Sequence, residues 1–150
     1  MSMTVKQHVD HWVNSSRESL KDMEASIKSK RRALALFSGH QTIEKILKAL
    51  LAAQNQQIPH THKLTSLAFQ CGLKLDHAQQ AELIEITGFY IAAKYSSVKS
   101  QFHQQCTPQY TDTWAKIIRN WRKHLIHHVA QARASVNNRT PAAHPENTFN

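Results

Sequence analysis

The sequence predicts an all-α protein, an antiparallel up-and-down bundle of four long helices and one short helix. Apolar residues recur every three or four positions along most of the chain, which is the period of an amphipathic helix. The 150 residues include only three glycines and four prolines, too few turn residues for a β-sandwich or barrel. The glycines lie far apart, at positions 39, 72 and 88, so a glycine-rich phosphate loop of a nucleotide-binding sheet domain is excluded.

The first two long helices are expected at residues 5–28 and 32–55. Thr4 is placed to cap the first of them, because its hydroxyl can accept a hydrogen bond from a backbone N–H of the first turn. The second helix carries Glu44 within its apolar stripe. A buried carboxylate is costly unless it is paired, so Glu44 is expected to have a hydrogen-bonding partner.

A short helix is expected at residues 61–71, with Gly72 as the residue that ends it. The third long helix follows up to residue 94, and Asp76 with Gln79 forms its predicted capping box. Residues 95–107 show no clear period and are expected to form a linker or a frayed extension.

The last long helix is expected at residues 109–134, where apolar residues again follow the helical period. Residues 135–150 are polar and contain two prolines, which indicates a disordered tail. The sequence therefore predicts one helical domain at residues 1–134 and a tail at residues 135–150.

The chain is strongly basic, with 19 lysines and arginines against 10 acidic residues and a net charge of +9. Such a surface favours anionic partners, namely nucleic acids, nucleotides, an acidic protein or a membrane surface, and the charge alone does not choose among them. No segment is apolar enough to suggest a signal peptide or a membrane span, so a cytoplasmic protein without membrane contact is expected. The two cysteines lack metal-ligand spacing, and neither a metal nor another cofactor is expected.

Three linked motifs follow one another along the chain. They are FSGHQTIEKILKALL at residues 37–51, PHTHKL at residues 59–64 and YIAAKYS at residues 90–96. In order and spacing they resemble the HEPN domain family, whose name stands for higher eukaryotes and prokaryotes nucleotide-binding. The resemblance implies a helical bundle. It also implies that His62, in the loop of the second motif, forms a hydrogen bond between this loop and a helix.

The resemblance also implies three alternative functions. Many family members act with a small nucleotidyltransferase in systems resembling toxin–antitoxin modules, and this is the favoured hypothesis, with nucleotide or RNA as ligand. Others are metal-independent ribonucleases that work as dimers. A third group has no catalytic residues and binds only ligands or proteins. A homodimer is expected, and whether the chain is an enzyme stays open.

A candidate ribonuclease motif, Arg-x(4)-His, lies in the last helix. Arg119 would hold the phosphate and stabilise the transition state, because its guanidinium is always charged and offers two parallel hydrogen bonds. His124 would transfer the proton near neutral pH, and Asn120 would support the pair. The competing interpretation of these residues is an ordinary solvated basic helix face.

Candidate phosphate-binding residues are spread along the chain. They are Lys45, Lys48, Lys94, Tyr95 and Arg122. Lysine and arginine bind phosphate through charge-assisted hydrogen bonds, and Tyr95 could stack on a base. For a nucleotide binder we expect a pocket that combines such a cation with an aromatic ring, as Lys94 and Tyr95 could do.

Overall fold

Helices account for most of the computed structural model, which describes residues 2–137. They are α1 (Val5–Lys28), α2 (Arg32–Ala53), α3 (Leu64–Gln70), α4 (His77–Lys94), α5 (Ser96–Gln105) and α6 (Pro108–Asn137). No strand occurs in the described residues, which confirms the predicted all-α class. The tail predicted from residue 135 is helical up to residue 137, and its remainder, residues 138–150, lies outside the described part of the chain.

Local capping signals in the sequence set the helix boundaries. Thr4 accepts a hydrogen bond from the backbone N–H of Gln7 at 3.1 Å, and Asp76 accepts one from Gln79 at 2.8 Å. Both glutamine side chains accept a hydrogen bond from the capping residue in return, which completes the two capping boxes. Gly72 follows α3 with a φ of +78°, a left-handed conformation that glycine adopts without steric cost.

The prediction of a linker at residues 95–107 was wrong, because ten of these residues form α5. The helix buries one large side chain, Phe102, whose ring lies 5.7 Å from that of Phe89. A helix with a single buried anchor shows no apolar stripe in its sequence. The four long helices are therefore accompanied by two short helices rather than one in the described part of the chain.

Helix α2 forms the centre of the fold and contacts each of the other five helices that the structure describes. Seventeen of its 22 residues are buried, so only a narrow side of the helix is partly exposed, at Leu34, Phe37, Gln41 and Lys45. Gly39 permits the closest approach, because a Cβ atom there would lie 2.5 Å from Ile118 Cδ1 and 3.1 Å from Met23 Sδ. Helices α1, α2 and α6 thus meet at this glycine.

Helices α1 and α6 lie antiparallel beside each other on α2. Arg119 of α6 binds Glu24 of α1, and Arg133 binds Asp10 at the opposite end of the contact.

Cys71 and Cys106 are buried and free, and burial raises the pKa of their thiols to about 12 and about 11. None of the described helices is long and apolar enough to span a membrane.

Candidate functional site: a basic pocket beside a buried polar cluster

The carboxylate of Glu44 lies in the core and is fully paired there. Glu44 is only 5% exposed, and its Oε2 accepts a hydrogen bond from Lys48 Nζ at 2.8 Å. Its Oε1 accepts a second hydrogen bond, from His62 Nδ1, also at 2.8 Å. Both the expected partner for Glu44 and the expected loop-to-helix role of His62 are confirmed.

The ionisation of Glu44 follows from these two contacts. Burial by itself raises the pKa of a carboxyl group, because it disfavours the charged form. The hydrogen bonds from Lys48 and His62 outweigh this effect and hold the pKa of Glu44 below its usual value. Glu44 is therefore a carboxylate at neutral pH, and it ties the loop before α3 to the middle of α2.

His40 lies one turn before Glu44 and is completely buried. Its Nε2 donates a hydrogen bond to the backbone carbonyl of His62 at 2.8 Å, which assigns the proton to that nitrogen. The other ring nitrogen, Nδ1, has no hydrogen-bonding partner among the described residues. Burial lowers the pKa of His40, so the ring is neutral at neutral pH.

Tyr90 of α4 connects this polar cluster to the surface. Its ring stacks on the His62 ring at 4.1 Å and on the Phe37 ring at 6.0 Å. The ammonium group of Lys94 lies 5.6 Å from the centre of the same ring, a cation–π arrangement. Lys94 is thus held at the surface by the aromatic side chain that also covers the buried cluster.

A surface cavity of about 410 Å³ opens next to Lys94, and we call it the α4–α5 pocket. Its lining residues come from α2, α4 and α5, namely Ala33, Leu34, Phe37, Ala93, Lys94, Lys99, Phe102 and His103. The volume lies within the range of about 300–1,000 Å³ that is typical of small-molecule sites.

The lining of the α4–α5 pocket combines two kinds of chemistry. Lys94, Lys99 and His103 supply nitrogen atoms that can donate to an anion, and no carboxylate from the described part of the chain lines the pocket to neutralise them. Phe37 and Phe102 supply aromatic surface, on which a flat ring can pack. An anionic ligand with an aromatic part fits this combination.

The structure distributes the predicted phosphate-binding residues over different sites. Lys94 lines the α4–α5 pocket, whereas the neighbouring Tyr95 is 61% exposed and does not line it. Lys45 donates a hydrogen bond to Ser19 of α1 at 2.8 Å. Lys48 is buried and its ammonium group forms an ion pair with Glu44, so it is not available to a phosphate. Arg122 lies against α1, away from the pocket.

Arg119 and His124 do not come together within one chain. Both Nε and Nη2 of Arg119 donate to Glu24 of α1 at 2.7 Å. His124 and Asn120 instead line a groove against Glu82 of α4. Five positions along a helix turn two side chains about 140° apart, which explains the separation.

Most residues of the α4–α5 pocket were not predicted from the sequence. Lys99, Phe102 and His103 all lie on α5, in the segment expected to be a linker. Their spacing of three and four residues places them on one helix face, and this is the signal that could have identified them. Among the described residues, no group of three or more histidine, cysteine or acidic side chains is arranged to hold a metal ion.

Comparison with known proteins gives one family. The family model described as HEPN domain matches residues 9–125, which is most of the chain and includes every residue of the α4–α5 pocket. No curated protein and no solved structure matches the chain.

Proposed function

The chain belongs to the HEPN domain family, and from this premise we propose that it binds a nucleotide or RNA and acts together with a nucleotidyltransferase. The family is one of nucleotide- or RNA-related helical modules. The observation that carries the proposal is the α4–α5 pocket, where two lysines and a histidine line the same cavity as two phenylalanines and, within residues 2–137, no carboxylate does.

We propose that the base of the ligand packs on Phe37 and Phe102 and that its phosphate binds Lys94 and Lys99. Stacking on Phe37 and Phe102 contributes about 1–3 kcal/mol per base in comparable sites and tolerates different bases. The ammonium groups of Lys94 and Lys99 donate charge-assisted hydrogen bonds to the phosphate. His103 lines the same pocket and adds a third donor.

Titration with AMP tests the binding part of the proposal, because AMP is a small ligand that carries both a base and a phosphate. Isothermal titration should show one site per chain, and the affinity should fall about tenfold in Lys94→Ala and in Lys99→Ala, since each loses a charge-assisted hydrogen bond. Lys63→Ala removes an equivalent exposed charge outside the pocket and should bind AMP as the wild type does. Equal affinities in all four proteins, or no binding of AMP, would contradict the proposal.

The nucleotidyltransferase partner and the toxin–antitoxin-like role follow from the family and form a separate part of the proposal. Because a nucleotidyltransferase consumes nucleoside triphosphates, we place the pair in the cytoplasm. Size-exclusion chromatography of the chain mixed with a candidate nucleotidyltransferase should give one joint peak. Separate elution at micromolar concentrations of both proteins would contradict this part and leave the AMP result standing.

We also propose that two copies pair through the exposed face of α4. The residues on this face follow the alternating four- and three-residue spacing of a coiled-coil seam. They are His77, Ala81, Ile84, Gly88, Ile91 and Tyr95. Ile84 and Ile91 are 61% and 47% exposed, and the seam contains no lysine, arginine, aspartate or glutamate.

The seam is self-complementary when two copies run antiparallel. A twofold axis near Ile86 brings Ile84 opposite Gly88 of the partner subunit and Ala81 opposite Ile91 of the partner subunit, so each large side chain meets a small one. Light scattering should then give twice the chain mass of 17.1 kDa for the wild type and the single mass for Ile84→Glu. Phe69→Glu changes an exposed apolar residue outside the seam and should remain dimeric. A monomeric wild type would overturn the pairing.

A further inference from the structure

The ring of Tyr90 is packed among other aromatic rings beside the α4–α5 pocket. Its centre lies 4.1 Å from that of His62, 5.1 Å from that of His40 and 6.0 Å from that of Phe37. The rings of His62 and Phe37 are nearly parallel to it, at interplanar angles of 22° and 20°. Side chains of α2 and of the loop before α3 therefore fix the position of Tyr90.

The His62 residue that stacks on Tyr90 is itself held by the core. Its Nδ1 donates to the buried carboxylate of Glu44 at 2.8 Å, and its backbone carbonyl accepts a hydrogen bond from His40 at 2.8 Å. If His62 moved away, these two buried side chains would each lose a hydrogen bond, which is costly in the core. The stack on Tyr90 thus has a rigid base.

Tyr90 contacts two residues that line the α4–α5 pocket, although it does not line the cavity itself. One is Phe37, and the other is Lys94, whose ammonium group lies 5.6 Å from the centre of the Tyr90 ring. Lys94 follows Tyr90 by four residues on α4, so the two side chains lie on the same face of the helix. A lysine that is already held over a ring has less rotamer freedom left to lose when a phosphate binds.

We propose that Tyr90 is a positioning residue of the α4–α5 pocket, which fixes Lys94 for the phosphate and Phe37 for the base. The proposal rests on the function proposed for that pocket. The hydrogen bond between Glu44 and His62 acts one step further away, because it holds the ring on which Tyr90 stacks. The affinity of the pocket therefore depends in part on residues that do not line it.

Isothermal titration with AMP tests the role of Tyr90. In Tyr90→Leu the affinity should fall about fivefold or more, since the cation–π contact and the stack on Phe37 are both lost. Tyr90→Phe keeps the ring and should bind AMP within about twofold of the wild type. Trp121→Leu is the matched control, because it removes a buried ring of α6 that lies outside the pocket, and its affinity should be unchanged. Wild-type affinity in Tyr90→Leu, or an equal loss in Tyr90→Phe or in Trp121→Leu, would overturn the proposal.

The double variant Tyr90→Leu/Lys94→Ala distinguishes positioning from a general loss of stability. If Tyr90 acts through Lys94, its removal should cost less affinity once Lys94 is already absent. The double variant should then bind AMP more tightly than the product of the two single losses would give. Losses that multiply in full would show that the two residues act independently, and would contradict the positioning role.

The contact between Lys94 and Tyr90 can also be measured without a ligand. Protons above an aromatic ring are shielded, so in NMR spectra the Cε protons of Lys94 should lie upfield of those of the exposed Lys63. This difference should persist in Tyr90→Phe and disappear in Tyr90→Leu. A wild type that does not bind AMP would contradict the ligand proposed for the pocket, whereas a wild type without the upfield shift would overturn the role of Tyr90. The two proposals can therefore fail separately.

Discussion

At the residue scale, the polar groups in the core each have a defined protonation state. Glu44 is charged because Lys48 and His62 donate to it, and His40 is neutral because burial disfavours its charged form. The sequence predicted that Glu44 needs a partner, since its carboxylate falls on an apolar stripe. It could not identify both partners, because His62 comes from a loop whose path depends on the tertiary fold.

The Glu44→Gln variant should lose about 3 kcal/mol of unfolding free energy, because it leaves the ammonium group of Lys48 buried without a counter-charge. Urea unfolding at pH 7 measures the loss. The double variant Glu44→Gln/Lys48→Met should recover part of it, since no unpaired charge is then buried. Glu18→Gln breaks an exposed ion pair and should change little. A similar small change for Glu44→Gln would contradict the role given to this pair.

His40 should make stability depend on pH below about 6.5. Its pKa is lowered in the folded state, so below the ordinary histidine pKa of about 6.5 the unfolded chain binds more protons than the folded chain. The unfolding free energy should therefore fall as the pH falls through this range. His40→Gln keeps a donor for the His62 carbonyl but does not titrate, and urea unfolding should show a flatter pH profile. An unchanged profile would show that other groups cause the dependence.

At the element scale, the long helices could be predicted from periodicity, because each buries a continuous apolar stripe. Helix α5 could not, because Phe102 is its one large buried side chain and its other contacts border an open pocket. For the same reason only part of the candidate site could be predicted: Lys94 was predicted on α4, whereas Lys99 and His103 were missed on α5. Hydrophobic periodicity indicates which residues are buried by the chain itself. Residues that border an open pocket are not buried in this way, so periodicity does not reveal them.

Gly39→Ala tests the junction of α1, α2 and α6. Alanine normally stabilises a helix interior relative to glycine by about 1 kcal/mol, but here the new methyl group would overlap Ile118. We expect a net loss of about 1–3 kcal/mol in urea unfolding, and Ile118→Val should relieve part of it by removing the Cδ1 atom.

Gly88→Ala is the matched control for this prediction, because no atom lies within 4 Å of its added Cβ. In dilute, monomeric protein this variant should have a free energy of unfolding up to about 1 kcal/mol higher than the wild type. The same sign of change for both glycines would contradict the close approach at Gly39.

At the scale of the whole molecule, the net charge of +9 is arranged in separate places with different chemistry. The α4–α5 pocket joins lysines to aromatic rings, whereas Arg119, Arg122 and Arg133 of α6 form hydrogen bonds with α1. The exposed seam of α4 is an uncharged surface, and we propose that a second copy covers it. These three surfaces use different residues, so their roles can be tested one at a time.

The ribonuclease hypothesis makes a different prediction for the whole molecule. Because Glu24 engages Arg119 and His124 lies in another groove, we expect any RNA cleavage in EDTA to be unchanged in Arg119→Ala and in His124→Ala. Circular dichroism must first show that both variants are folded. A fall of at least a hundredfold in both variants would identify the pair as catalytic and make the chain a metal-independent ribonuclease.

The most direct test of the central claim is an NMR titration of the isotope-labelled chain with AMP. We expect the backbone amide signals of residues 33–37 and 93–103, which border the α4–α5 pocket, to shift. Shifts confined to other parts of the chain would contradict the pocket as the nucleotide site. An absence of any shift at millimolar AMP would contradict nucleotide binding and favour a domain that binds only protein partners.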